Sequence, residues 1–145
     1  IGNAEMSGVQ IENGGQLDTV KSPLKFLNVK KGQFSSKIAE TSFLGCRANC
    51  IYIENSEKIT ITNNIFYDVW VHGIENHNIN DVTITNNVFM GITYRPTVHS
   101  STDVVGCVAV FTYPDPMSAK VKVRNNFCQG SSKAHRTSVR ALMAP

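Results

Sequence analysis

Ile59-Thr60-Ile61-Thr62-Asn63-Asn64-Ile65-Phe66 returns 23 residues later as Val82-Thr83-Ile84-Thr85-Asn86-Asn87-Val88-Phe89. A third copy, Val121-Lys122-Val123-Arg124-Asn125-Asn126-Phe127-Cys128, follows after a further 39 residues. Stepping back 23 from Ile61, Asn64 and Phe66 lands on Ile38, Thr41 and Phe43, a degenerate earlier copy. Upstream, Ile53-Glu54-Asn55 matches Ile74-Glu75-Asn76, with Ile11-Glu12-Asn13 as an earlier cousin. Self-similarity at a fixed period is the mark of stacked repeats, each too small to bury its own apolar face.

Within each copy the apolar residues alternate at period two and β-branched residues dominate, which is a strand pattern. No stretch shows a 3.6-residue period. A unit of about 23 residues accommodates three short strands and their turns, one coil of a parallel β-helix. Parallel crossovers are right-handed in nearly all cases, which sets the expected hand. The longer second interval is explained by insertions at 93–106 and 112–118, which carry the Pro, Ser, Asp and Gly expected of side loops. The predicted fold is therefore all-β, a right-handed parallel β-helix with inserted loops, covering residues 1–130. Residues 131–145 lack strand periodicity and read as an irregular basic tail or linker.

Asn tolerates the left-handed backbone of a sharp turn. In successive coils the same Asn recurs at the roughly 4.8 Å spacing between strands of a sheet. Its amide can then donate to the copy above, so Asn63, Asn64, Asn86, Asn87, Asn125 and Asn126 are expected to form a structural Asn ladder.

A formal charge of +3 with 17% charged residues gives no reason to expect nucleic acid as a partner. No apolar run approaches the roughly 20 residues that span a bilayer, so no direct membrane insertion is expected of this segment. Opening at Ile1-Gly2-Asn3-Ala4, the chain reads as a mature or internal piece of a longer one. Cys46, Cys50, Cys107 and Cys128 have no partner His or Cys pair at zinc spacing, which leaves buried thiols or one loop disulfide. No metal or cofactor is expected.

β-Helices that cleave acidic polysaccharides need carboxylates stacked on one face, often with calcium and a nearby cation. Here only Glu54 and Glu75 line up, and their third partner is Phe111; Asp68 aligns with glycines and Asp81 with lysines. No catalytic residue is therefore assigned. His72 falls in register with Ile51 and Val108, either buried and in need of a hydrogen-bond partner or outward on a strand face. With Trp70, Tyr52 and Tyr94 it forms the candidate glycan-facing set, since aromatic rings can stack on sugars. Cys50 and Cys107 share a column two coils apart, about 9.6 Å, too far for a disulfide.

The order of features over residues 35–74, with Gly14-Gly15-Gln16 upstream, resembles the β-helix region of the fibrocystin and fibrocystin-like family, which is related to cell-surface hyaluronidases. The features are Ser35-Ser36-Lys37-Ile38-Ala39-Glu40-Thr41-Ser42-Phe43, then Arg47-Ala48-Asn49-Cys50-Ile51-Tyr52-Ile53, residues 59–64 and Tyr67-Asp68-Val69-Trp70-Val71-His72. Relatives carry a His-rich strand where this chain has Ser22-Pro23-Leu24-Lys25-Phe26-Leu27-Asn28, and an acidic pair where it has His77-Asn78. The resemblance implies the non-catalytic branch: a structural or interaction segment of a large extracellular, cell-surface or ciliary membrane protein. Its implied partners are other segments of the same chain and proteins at the cell surface. The alternative is a glycan-binding or polysaccharide-active β-helix, hyaluronidase- or lyase-like, using His72 and the 94–106 loop.

Overall fold

A computed structural model describes residues 3–16, 21–29, 35–93, 105–112, 120–130 and 140–143. The first circuit of the chain comprises β1 (Glu5–Ser7), β2 (Gln10–Glu12) and β3 (Leu24–Leu27). The second comprises β4 (Ser36–Ala39), β5 (Ser42–Leu44) and β6 (Ile51–Glu54). Then come β7 (Glu57–Thr62), β8 (Ile65–Val69) and β9 (His72–His77), followed by β10 (Asn80–Thr85), β11 (Val88–Ile92) and β12 (Gly106–Thr112). The last circuit is β13 (Val121–Arg124), β14 (Phe127–Gly130) and β15 (Arg140–Met143).

Successive strands go to a first, second and third sheet in rotation, so each sheet collects every third strand. All strand pairings are parallel, and the described residues include no helix. This connectivity fits a parallel β-helix. Ser36 pairs with Ile59 and Ile59 with Val82, steps of 23 residues; Glu5 to Lys37 is 32 and Val82 to Val121 is 39. Insertions between strands absorb the longer steps without disturbing the pairing.

The core follows from the period-two pattern. Ile38, Ile61 and Ile84 lie one above another in the first sheet, each no more than 1% exposed, and Ile59 and Val82 form a parallel column. In the second sheet Phe43, Phe66 and Phe89 share a register; their rings stack at 4.9 Å and 4.5 Å between centroids, within 9° of parallel. Gly73 faces this stack. A Cβ there would come within 2.5 Å of the Phe89 ring and 2.7 Å of the Cys107 carbonyl, so only glycine fits.

Left-handed residues make the corners. Between the first and second sheets they are Gly8, Glu40, Asn63, Asn86 and Asn125, with φ between 52° and 66°. Asn13, Gly45, Asp68 and Gly91 turn the chain into the third sheet, and Asn28, Asn55 and Asn78 lead out of it. Asn and Gly, which enter this region at least cost, hold all of these positions but Glu40 and Asp68.

The two Asn of each pair do different work. Asn63, Asn86 and Asn125 take the left-handed bend and are exposed. Asn64 and Asn87 turn inward and are 1% and 0% exposed. Asn64 Nδ2 donates to Asn87 Oδ1, and Asn87 Nδ2 to Asn126 Oδ1, both at 3.0 Å. Each Oδ1 also accepts a backbone N–H from the preceding coil, and each Nδ2 donates to a backbone carbonyl there (Ile38, Ile61 and Ile84). Only the second Asn of each pair is thus a rung, because the bend at the first points its side chain out.

Three sequence expectations change. Ile74, not His72, stands in register with Ile51 and Val108, so Ile53 faces Asn76 and Tyr52 faces Glu75. Glu54 and Glu75 are therefore not stacked; Glu54 lies beside His77. A two-residue slip preserves which side chains face inward, so alternation alone could not detect it. The same register puts Gly73 between Cys50 and Cys107. Residues 140–143 of the supposed irregular tail form β15, paired with β12 from Ala109↔Arg140 onward. Four residues are too few to show a period. Residues 131–139 and the cores of both inserted loops lie outside the described residues.

All four cysteines are paired, Cys46 with Cys50 and Cys107 with Cys128. The second bond ties β12 to β14 across the interior. Its two cysteines stand in different sheets and so share no column.

Candidate functional site

The outer face of the third sheet gathers the chemically active side chains. Its columns run Lys25, Tyr52, Glu75, Ala109 and Leu27, Glu54, His77, Phe111. Strand alternation turns Tyr52, Glu54, Glu75 and His77 away from the core that takes Ile51, Ile53 and Ile74. Lys25 Nζ lies 5.6 Å from the centre of the Tyr52 ring. The His77 ring stacks on Phe111 at 4.6 Å and meets Tyr52 at 5.3 Å, tilted by 36°.

Glu75 is the hub. Its carboxylate bonds His77 Nε2 through Oε1 and accepts from Asn49 Nδ2 through Oε2. His72 Nε2 lies 4.0 Å from the same Oε2. Asn49 also accepts the His72 backbone N–H through Oδ1, at 3.1 Å. The Gly106 N–H lies 3.1 Å from His72 Nδ1, on the side of the ring away from Glu75. His72 is 6% exposed, so its ring is enclosed by these contacts.

Burial alone would raise the Glu75 carboxyl. The His77 hydrogen bond, the charges of His72 and His77 and the Asn49 bond outweigh it and hold the group below the ordinary Glu value. Tyr52 moves the other way, to about 12, first because burial disfavours the phenolate and then because Glu54 repels it and accepts a hydrogen bond from its hydroxyl at 3.2 Å. Glycoside hydrolysis in its two-carboxylate form needs one acid kept protonated and a second carboxylate across the scissile bond. Glu75 is held ionised and engaged by three neighbours, and Glu54 is taken by Tyr52. The cluster satisfies itself; what remains for a ligand is the ring edges and the Lys25 ammonium.

Of the candidate glycan-facing residues, His72 is buried, Tyr52 and Trp70 are half-buried, and Tyr94 lies outside the described residues. Asn49, Glu75 and His77 were missed as a cluster. Their signal was the 23-residue step itself, which carries Asn49 onto His72 and Tyr52 onto Glu75. Among the described residues no three of His, Cys, Asp and Glu are grouped to hold a metal ion, and no helix is long and apolar enough to cross a membrane. A separate groove at the corner before the first sheet is bordered by Glu57, Lys58, Asn80, Asp81, Lys120 and Lys122.

No protein-family model, curated protein or solved structure matches the chain.

Proposed function

We propose that this chain is a right-handed parallel β-helix segment, with coils of about 23 residues, that serves as a non-catalytic scaffold and interaction surface in a large extracellular or cell-surface protein of fibrocystin-like type. The observation carrying this reading is the uninterrupted internal stack. The Asn64, Asn87 and Asn126 ladder and the neighbouring Phe43, Phe66 and Phe89 stack spend inward side chains on joining coils. Right-handedness rests on the general preference of parallel crossovers. Two disulfides favour an oxidising compartment, hence the extracellular assignment. Other segments of the same large chain and cell-surface proteins are its partners in this reading, and a ciliary surface is one setting for them.

Glycan binding is the second reading, favoured by Lys25, Tyr52, His77 and Phe111 standing together on one strand face. The discriminating experiment offers the purified chain a panel of hyaluronan and other glycans and measures both retention and cleavage. The scaffold reading expects no turnover. Cleavage abolished by His72→Ala would overturn it, and saturable binding lost in Tyr52→Ala without cleavage would favour the second reading.

A further inference from the structure

The Asn ladder has a direction, and its last rung among the described residues, Asn126, is open on one side. The Thr41 N–H donates to Asn64 Oδ1, the Asn64 N–H and Nδ2 to Asn87 Oδ1, and the Asn87 N–H and Nδ2 to Asn126 Oδ1. At the last rung Oδ1 is used and Nδ2 donates once, to the Ile84 carbonyl at 2.9 Å. The two donors that Asn64 and Asn87 each send onward, the backbone N–H and the other Nδ2 hydrogen, have no acceptor at Asn126 among the described residues. The core opens at the same place. Val121, Val123, Asn126 and Cys128 are half-buried, whereas Val82, Ile84, Asn87 and Phe89, their register partners one coil earlier, are 0% exposed.

We propose that this end of the stack, the edges of β13 and β14 with the bend at Asn125 and Asn126, receives a further β-coil of the same repeat type that is not among the described strands. That coil carries an Asn at the bend whose side-chain carbonyl meets the two open donors, and apolar residues that cover Val121, Val123 and Cys128. A second copy of this chain does not fit the requirement. Its own first coil sets Val9 at the ladder position, one strand below Thr41, since the Ser42 N–H donates to the Val9 carbonyl. Stacked head to tail, Val9 would leave both Asn126 donors unmet, and a buried donor without an acceptor is destabilising. The inference rests on the scaffold reading but names the partner and the face it uses.

The test adds two synthetic peptides to the full chain. One has the sequence of residues 57–69, which spans β7, the Asn63-Asn64 bend and β8; the other carries Asn64→Val. Affinity is measured by titration, and the binding site by amide hydrogen exchange. The Asn peptide should slow exchange at residues 121–128 and bind about tenfold tighter than the Val peptide. Equal affinities, protection elsewhere, or no binding of either peptide would overturn the proposal. So would concentration-dependent polymers of the chain alone in which residues 121–128 become protected, because the occupant would then be a second copy. Glycan turnover would sink the scaffold reading but leave this exchange result unaffected, so the two failures are distinguishable.

Discussion

Adjacent asparagines in one pair obey different physics, and substitution should separate them. Asn87 takes part in four side-chain hydrogen bonds, to Asn64 (twice), Ile61 and Asn126. Asn87→Ala removes them and strands the buried Asn64 amide, so unfolding in denaturant should show a loss of about 3 kcal/mol. Asn86 is exposed at φ 57°. Asn86→Val should cost about 1–2 kcal/mol through the left-handed backbone alone, and Asn86→Gly close to nothing. Glu75 makes a pH prediction of definite sign. Its folded-state pKa lies below its ordinary value of 4.5, so its contribution is present above that value and is lost as pH falls through the lower folded one. Denaturant midpoints of the chain should therefore drop more steeply below about pH 4.5 than those of Glu75→Gln. At this scale the sequence was only half legible. The repetition of Asn-Asn exposed the ladder positions, but not which member turns inward. The Glu75 cluster was hidden by a two-residue slip that leaves every inward residue inward.

Among elements, the stacked phenylalanines of β5, β8 and β11 define the middle of the core. Phe66 is the central ring and fully buried, so Phe66→Ala should cost about 3–5 kcal/mol in equilibrium unfolding. Phe66→Leu should recover most of that, because volume is largely kept. The Cys107–Cys128 bond closes a loop with a sequence separation of 21 between the third and second sheets. Replacing both by Ala should lower stability by about 3 kcal/mol under oxidising conditions. Reducing agent should then have a smaller effect on that variant than on the unaltered chain. Strands β7, β8, β10 and β11 were readable because two identical steps of 23 repeat both the apolar alternation and the bend. β15 was not, for it shows only four residues, too few to reveal a period.

At the scale of the molecule, the described residues form a stack in which three five-stranded parallel sheets share one interior. Stability in such a stack is a sum of coil-to-coil terms. The joining groups are therefore the ones that matter most, and here they are amides and phenyl rings repeated at constant register. The rotation of strands through three sheets followed from the 23-residue unit, whereas the disulfide across the interior did not, because spacing along one column carries no information about the opposite wall. The most direct test of a stack held by its ladder is amide exchange followed by NMR at Asn64 and Asn87, on both backbone and side-chain Nδ2 protons. The account predicts that these protons exchange only with global unfolding, at the same free energy as the amides of Ile61 and Ile84. Exchange of the Asn64 and Asn87 side-chain protons at solvent-exposed rates while the Ile61 and Ile84 amides stay protected would contradict it.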